Sequence, residues 1–215
     1  MVKFISCIFI IQLSLVFSQE LPGLDPNEKL NQTKTNYFQP GLLKASATIS
    51  PGRMFQNDAN TINLSGFLEY VLDKNYSLRG DVIQFIDANF GANSMIIPEF
   101  QNRLFIGVFR HIGKGNFKWY NGIQAGTTIT NYKNNFTLES KTHVAPSFGL
   151  KTGAAYYVWN YFHFFADLTY LNSTLRGTNI GSKRMDELLF SAGLGFQIQT
   201  KKQVKKYRTI GTPSF

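Results

Sequence analysis

Three histidines, His111, His143 and His163, are the side chains best suited to proton transfer near neutral pH. Nucleophilic hydrolysis would need one of them beside a hydroxyl or carboxylate held in hydrogen-bond reach. His143 lies close to Ser140 and Thr142, but the proximity forms no recognised motif. His111 is followed by Ile112-Gly113, and His163 sits inside an alternating apolar and polar stretch. The single cysteine, Cys7, is N-terminal. No spacing of His, Cys and carboxylates suggests a metal site, and no glycine-rich loop opens a helix to cradle phosphate. Catalytic residues, metal ligands and cofactors are therefore not expected. What remains is charge: Lys44, Glu69, Arg79, Asp81, Arg103, Lys118, Lys151, Asp167 and Glu187 each interrupt an otherwise apolar segment. A charge taken out of water must be paired and hydrogen-bonded, so the elements that hold these residues decide their chemistry.

Those elements read as strands. From Gly41 onward, eight segments alternate with period two, which places successive side chains on opposite faces of a sheet. They are expected near Gly41–Arg53, Thr61–Leu72, Tyr76–Asn89, Asn102–Ile112, Phe117–Thr130, Val144–Tyr157, Tyr161–Asn172 and Asp186–Gln199. Soluble strands average about five or six residues, whereas these match or exceed the ~9–11 that a tilted strand needs to cross a hydrocarbon layer. Short connections at Asp73–Asn75, Gly113–Asn116 and Val158–Asn160 alternate with longer ones near Met54–Asn60, Phe90–Gln101, Asn131–His143 and Ser173–Met185. Short turns on one side and long loops on the other are the periplasmic and extracellular asymmetry of membrane barrels.

The N-terminus supports export. Lys3 precedes an apolar run, Phe4 to Phe17, of about 14 residues, shorter than the ~20 of a spanning helix, and small Val16 and Ser18 precede Gln19. Residues 1–18 read as a signal peptide, 19–40 as a periplasmic lead-in, 41–199 as the barrel and 200–215 as a basic periplasmic tail. The mature chain has no cysteine, whereas small secreted all-β domains usually carry disulfides. The reading is an all-β, eight-stranded, antiparallel, up-and-down transmembrane β-barrel of a Gram-negative outer membrane.

In such a barrel the apolar face meets lipid. Phe162, Phe164, Ala166, Leu168 and Tyr170 would point outward, and His163, Phe165, Asp167 and Thr169 inward. The last strand places Leu188, Phe190, Ala192, Leu194, Phe196 and Ile198 outside. Tyr76, Phe117, Trp119, Tyr156, Trp159, Tyr161 and Phe162 gather near the short turns, as an interfacial girdle does. The inward set then contains a lattice of Glu69, Arg79, Asp81, Lys151, Asp167 and Glu187. Pairing across the turns puts Glu69 opposite Arg79 and Lys151 opposite Asp167. The favoured reading is a structural ion-pair lattice, the other a gated polar path through the lumen.

Ser191-Ala192-Gly193-Leu194-Gly195-Phe196-Gln197-Ile198 resembles the assembly signal of outer-membrane barrels, with Ser191, Gly193, Phe196 and Ile198 at its key positions. It departs from the usual pattern in that a tail follows it. Tyr76-Ser77-Leu78-Arg79-Gly80-Asp81 and Tyr120-Asn121-Gly122-Ile123-Gln124-Ala125-Gly126 are similar to strands of the small outer-membrane β-barrel superfamily, the OmpX, OmpW and PorT-like proteins. The resemblance spans most of Gly41–Gln199. It implies the fold, the outer membrane and the barrel assembly machinery as a partner, without implying one activity, since members range from stabilisers and adhesins to secretion components and conduits. Enzymes on this fold include lipid A deacylases and palmitoyl transferases, but His111 lacks the nearby Ser-Asn of the deacylase pattern.

Two charged surfaces complete the reading. Arg53, Lys133, Lys141, Arg176, Lys183 and Arg184 lie in or beside the long loops and suit lipopolysaccharide phosphates. Met95-Ile96-Ile97 is an apolar cluster for folding over the barrel mouth, meeting a partner, or plain loop packing. The tail, with Lys201, Lys202, Lys205, Lys206 and Arg208, suits an anionic leaflet, an acidic periplasmic protein or a solvated terminus. Nucleic acid is not an expected partner of an exported chain. The expected function is a non-enzymatic structural or interaction component of the envelope, for example in a secretion or envelope assembly. The alternatives are a narrow porin-like or hydrophobic-solute conduit and, third, a lipid A-modifying enzyme.

Overall fold

The computed structural model describes residues 37–56, 58–89, 96–134, 140–175 and 183–200. The expected signal peptide, most of the lead-in, the basic tail, Met95 and Arg176 lie outside the described residues. Eight long strands form: β1 (Leu42–Met54), β2 (Ala59–Val71), β3 (Tyr76–Asn89), β4 (Ile96–Ile112), β5 (Phe117–Asn134), β6 (Ser140–Tyr157), β7 (Phe162–Leu175) and, after a two-residue strand β8 (Lys183–Arg184), β9 (Glu187–Gln199). Each long strand pairs antiparallel with its sequence neighbour, β7 passes directly to β9, and β9 pairs with β1 to close the ring. This is the expected up-and-down barrel.

Local chemistry sets the strand ends at the short turns. Asp73 Oδ1 accepts from the backbone N–H of Asn75 (2.7 Å) and of Tyr76 (2.8 Å), an Asx turn that reverses the chain between β2 and β3. Between β4 and β5, Gly113 and Gly115 take φ of 128° and 68°, a region open to glycine and strained for other residues. At the opposite end the strands run past the expected boundaries. β4 begins at Ile96 rather than Asn102, β5 continues to Asn134, and β6 starts at Ser140. Lys133, Lys141, Ile96 and Ile97 thus lie on strand extensions, and Lys183 and Arg184 on the short strand β8, rather than in loops. The β1–β2 connection is also shorter than expected: its ladder closes at Met54 opposite Ala59. There Asp58 takes a φ of 43° and pairs with Arg53 at 2.7 Å, which lets four residues span the gap.

The two faces are sorted by polarity in the sense opposite to a water-soluble barrel. Ile49, Leu68, Val82, Ile106, Ile123 and Phe190 point outward and are at least half exposed. Lys44, Glu69, Arg79, Arg103, Asp167 and Glu187 point inward and retain 2% exposure or less. An aqueous solvent would drive the reverse arrangement, so the outward face is built for hydrocarbon. The outward aromatics do gather at the short turns: Tyr161 stacks on Phe196 and Phe162 meets it edge-on, with ring centroids 6.3 and 5.9 Å apart.

Closure is uneven. β1 and β9 pair from Leu42↔Gln199 to Ala45↔Phe196 and again from Gly52↔Leu189 to Met54↔Glu187, in one unbroken register. Between them, Ser46–Pro51 has no ladder partners in β9. Side chains bridge the gap. Ser46 Oγ donates to the Leu194 carbonyl (3.2 Å), Thr48 Oγ1 to the Ala192 carbonyl (2.8 Å), and Ser50 and Ser191 share a hydroxyl bond of 2.7 Å.

Candidate functional site

The lumen is where this chain concentrates its chemistry, and it is arranged in tiers. At the turn end, Lys44 on β1 lies 2.8 Å from Glu69 on β2 and donates to the Tyr157 hydroxyl at 3.2 Å. His111 Nε2 sits 3.0 Å from the same Glu69 oxygen and 2.8 Å from Ser77 Oγ. Below them Phe38, from the end of the lead-in, is buried inside the mouth. Its ring centroid is 4.5 Å from that of His111, 5.6 Å from Lys44 Nζ and 5.5 Å from Lys118 Nζ. The lead-in therefore does not remain outside the barrel up to Pro40. One aromatic ring, attracted to two cations, stops the opening.

The middle tier centres on Arg79. Its guanidinium lies 3.0 Å from Asp81, 3.2 Å from Asp167 and 3.8 Å from Glu69, and stacks 3.8 Å over the Phe67 ring. Lys151 Nζ reaches Asp81 at 2.6 Å, Gln124 donates to the same carboxylate, and the Tyr120 hydroxyl donates to Asp167 at 3.1 Å. An apolar layer of Ile83, Phe105, Leu171 and Leu189 follows. Nearer the loop end, Glu187 receives bonds from Arg103, Thr61 and Asn63. The residual space beside Phe67, Arg79, Asp81 and Lys151 is a cavity of about 10 Å³, at the lower limit for a single water.

The structure places the sequence-predicted residues as follows. Glu69 and Arg79 are Cα partners across the β2–β3 turn. Lys151 and Asp167 are not: the register pairs Lys151 with Thr169 and Asp167 with Gly153. The cause is the turn, where Val158 and Trp159 both donate to the Phe162 carbonyl, one residue later than expected. Gly153 suits that register, since a Cβ there would lie 2.6 Å from the Asp167 Cβ and 2.7 Å from Tyr120 Cζ. Lys151 and Asp167 instead reach across the lumen to Asp81 and Arg79. Glu187 stands apart from the Arg79 network. In β9, Ser191 and Gly193 face inward, and Phe196 and Ile198 outward. Among the expected loop cations, Arg53 and Arg184 each pair with an aspartate at 2.7 Å.

Sequence reasoning missed Ser77, which meets His111 on the adjacent β4, and Tyr120, Gln124 and Tyr157, whose roles come from strands across the lumen. Alternation would have found that they face inward, but not whom they meet. Ser77, His111 and Glu69 lie close enough to raise a Ser-His-acid arrangement. In that chemistry the serine and the acid bond opposite ring nitrogens. Here both address Nε2, and Nδ1 has no partner among the described residues, so the trio does not have that arrangement. His163 faces inward, as the alternation predicts, and stacks on Tyr157 at 5.6 Å between Phe67 and Phe165. No group of three or more metal-ligating side chains occurs among the described residues.

No family model and no curated protein sequence matches the chain. Solved structures do. Neisserial surface protein A superposes with a TM-score of 0.55, covering 74% of this chain and 96% of its own, at 12% identity. The outer membrane protein OprG from Pseudomonas aeruginosa gives 0.51 over 75% and 98%, at 11% identity. At such identities the backbone path is shared and the lumen residues are this chain's own. A ring closed by β1 and β9, antiparallel throughout, with an apolar exterior and a charged interior, is the fold of the small eight-stranded outer-membrane β-barrels.

Proposed function

We propose that the chain is an integral outer-membrane barrel, exported by removal of residues 1–18, that serves as a non-enzymatic structural or interaction component of the envelope. The observation that carries this reading is the pairing of an apolar outer wall with a lumen filled by mutually bonded charges. The wall suits residence in a bilayer. Among the described residues the lumen is filled around Arg79, which leaves surfaces to do the work. The even number of long strands puts the start of β1 and the end of β9 on the short-turn side, which corresponds to the periplasm when the long connections face outward.

In this reading β9, with Ser191, Gly193, Phe196 and Ile198, is the strand read by the barrel assembly machinery. The cations Arg53, Lys133, Lys141, Arg176, Lys183 and Arg184 meet lipopolysaccharide phosphates. The tail cations Lys201, Lys202, Lys205, Lys206 and Arg208 address the periplasmic leaflet or an acidic protein, in a secretion or envelope assembly. The conduit alternative is disfavoured by the 10 Å³ cavity, and lipid A modification by the shared Nε2 geometry of His111.

The test is mild-detergent purification of the mature protein with a tag in the 90–95 connection. A discrete co-purifying envelope protein, lost on deletion of residues 201–215, is the expected result. A barrel that purifies alone, conducts small solutes in planar bilayers and has the same envelope phenotype with or without the tail would overturn the proposal.

A further inference from the structure

The outer wall is not uniformly convex. Two adjacent rows of outward side chains run across the strands. Cα pairing defines one as Tyr76–Arg110–Asn121–Thr152–Leu168 and the next as Val108–Ile123–Leu150–Tyr170–Leu188. Between them lies a groove of about 590 Å³. It begins at Tyr76, the first residue of β3 at the turn end, and climbs to Leu188, near the loop-end start of β9. Five steps between neighbouring strands make its path around the wall roughly 24 Å long, and with strands tilted about 40° it climbs roughly 15 Å, the depth of one leaflet's hydrocarbon.

The groove has a polar head and an apolar body. Asn121 and Thr152 are small beside the flanking Tyr76, Arg110 and Leu168, which lowers the wall there. Asn121 Oδ1 accepts from Thr152 Oγ1 (2.6 Å) and from Trp119 Nε1 (3.3 Å). With its carbonyl so occupied, its amide N–H groups are left as donors toward the membrane. Beside it Arg110 is exposed on the outer wall, two residues from the end of β4, level with the girdle residues Tyr76 and Trp119. No carboxylate forms an ion pair with Arg110 among the described residues. A lipid-facing arginine is costly near the bilayer midplane and tolerated at the interface, where phosphates are its natural counter-ions.

We propose that this groove is a phospholipid site. The phosphate of a glycerophospholipid sits on Arg110 and the Asn121 amide, and one acyl chain lies along Ile123, Leu150 and Leu168. The inference rests on the membrane reading above and goes beyond it by naming a ligand and its residues.

Trp119 reports on the site directly. The chain has two tryptophans, so W159F leaves Trp119 alone beside the groove head. In maltoside micelles, which carry no phosphate, W159F is titrated with a phosphatidylethanolamine bearing brominated acyl chains, and separately with the matching brominated diacylglycerol. Saturable quenching by the phospholipid, at least tenfold tighter than by the diacylglycerol, is expected. R110Q should bring the two lipids level, and T152L, which fills the groove, should weaken both. Equal quenching by both lipids in the parent, or phospholipid quenching unchanged in R110Q, would overturn the site. So would displacement by lipid A at lower concentration, or protection of Trp119 by a second copy of the chain. All three substitutions face outward, and heat-modifiable migration on gels checks that the barrels are folded. If W159F gave no heat-modifiable form in any detergent or bilayer, the membrane reading itself would fall, a result distinct from a folded barrel that binds no phospholipid.

Discussion

Arg79 shows how a buried charge is made tolerable. It is shared among Asp81, Asp167 and Glu69 and backed by the Phe67 face, while Lys151 shares Asp81 Oδ1 with it and Lys44 pairs with the other oxygen of Glu69. Removing it leaves three buried carboxylates with fewer cations, and a broken buried pair typically costs about 3–5 kcal/mol. R79M should therefore lower barrel stability by that order in urea unfolding from vesicles, and by nearly the same amount at high salt, because buried pairs are poorly screened. The double variant R79M/D81N should lose less than the sum of the two single changes, since both single changes break the same Arg79–Asp81 pair. Strict additivity would mean that the network is a set of independent contacts. At Gly153, valine would press on Asp167 and Tyr120. G153V should destabilise by about 1–3 kcal/mol, as overpacking does, and an unchanged unfolding midpoint would show that the Ala166 carbonyl, Asp167 and Tyr120 all give way to the added side chain.

At the scale of the element, the β1–β9 seam is held differently from every other strand pair. Hydroxyls of Ser46, Thr48 and Ser50 take the place of ladder partners over the middle of the seam. T48V keeps shape and removes the bond to the Ala192 carbonyl, at a cost of about 1 kcal/mol for one net hydrogen bond. Hydrogen exchange should accelerate at amides of β1 and β9 and not in β4 and β5. Uniform acceleration around the ring would refute a weak seam. Elements were also where the sequence was most readable. At the short turns every strand end lies within about one residue of the expected position, because Asp73, Gly113 and Gly115 leave the backbone few choices. At the loop end β4, β5 and β6 run on, since strand pairing continues in water once its partner is present, whatever the local alternation.

For the whole molecule, the tiers of side chains and the Phe38 stopper imply a closed barrel. Purified into planar bilayers, the mature protein should show no steady open-channel conductance. R79A/F38A, which empties the middle tier and the turn-end mouth together, should show brief openings at the same voltage. Steady ohmic conductance of the unmodified protein would contradict a filled lumen and favour a conduit.

Alternation, segment length and turn residues sufficed to find eight strands, the outward faces of the last two, and the pairing of Glu69 with Arg79. All of these are local: a period of two needs only the chain itself, and a tight turn dictates the first few pairs of its own hairpin. Where the turn reading slipped by one residue, before Phe162, the Lys151–Asp167 pair slipped with it, because moving a turn by one residue moves each cross-strand partner by two. Contacts between strands not adjacent in the ring were beyond the sequence altogether. Lys151 with Asp81, Arg79 with Asp167, Tyr120 with Asp167, and the spiral groove beneath Arg110 depend on the stagger with which the ring closes. That stagger is a property of all eight registers at once, and only the assembled barrel decides it.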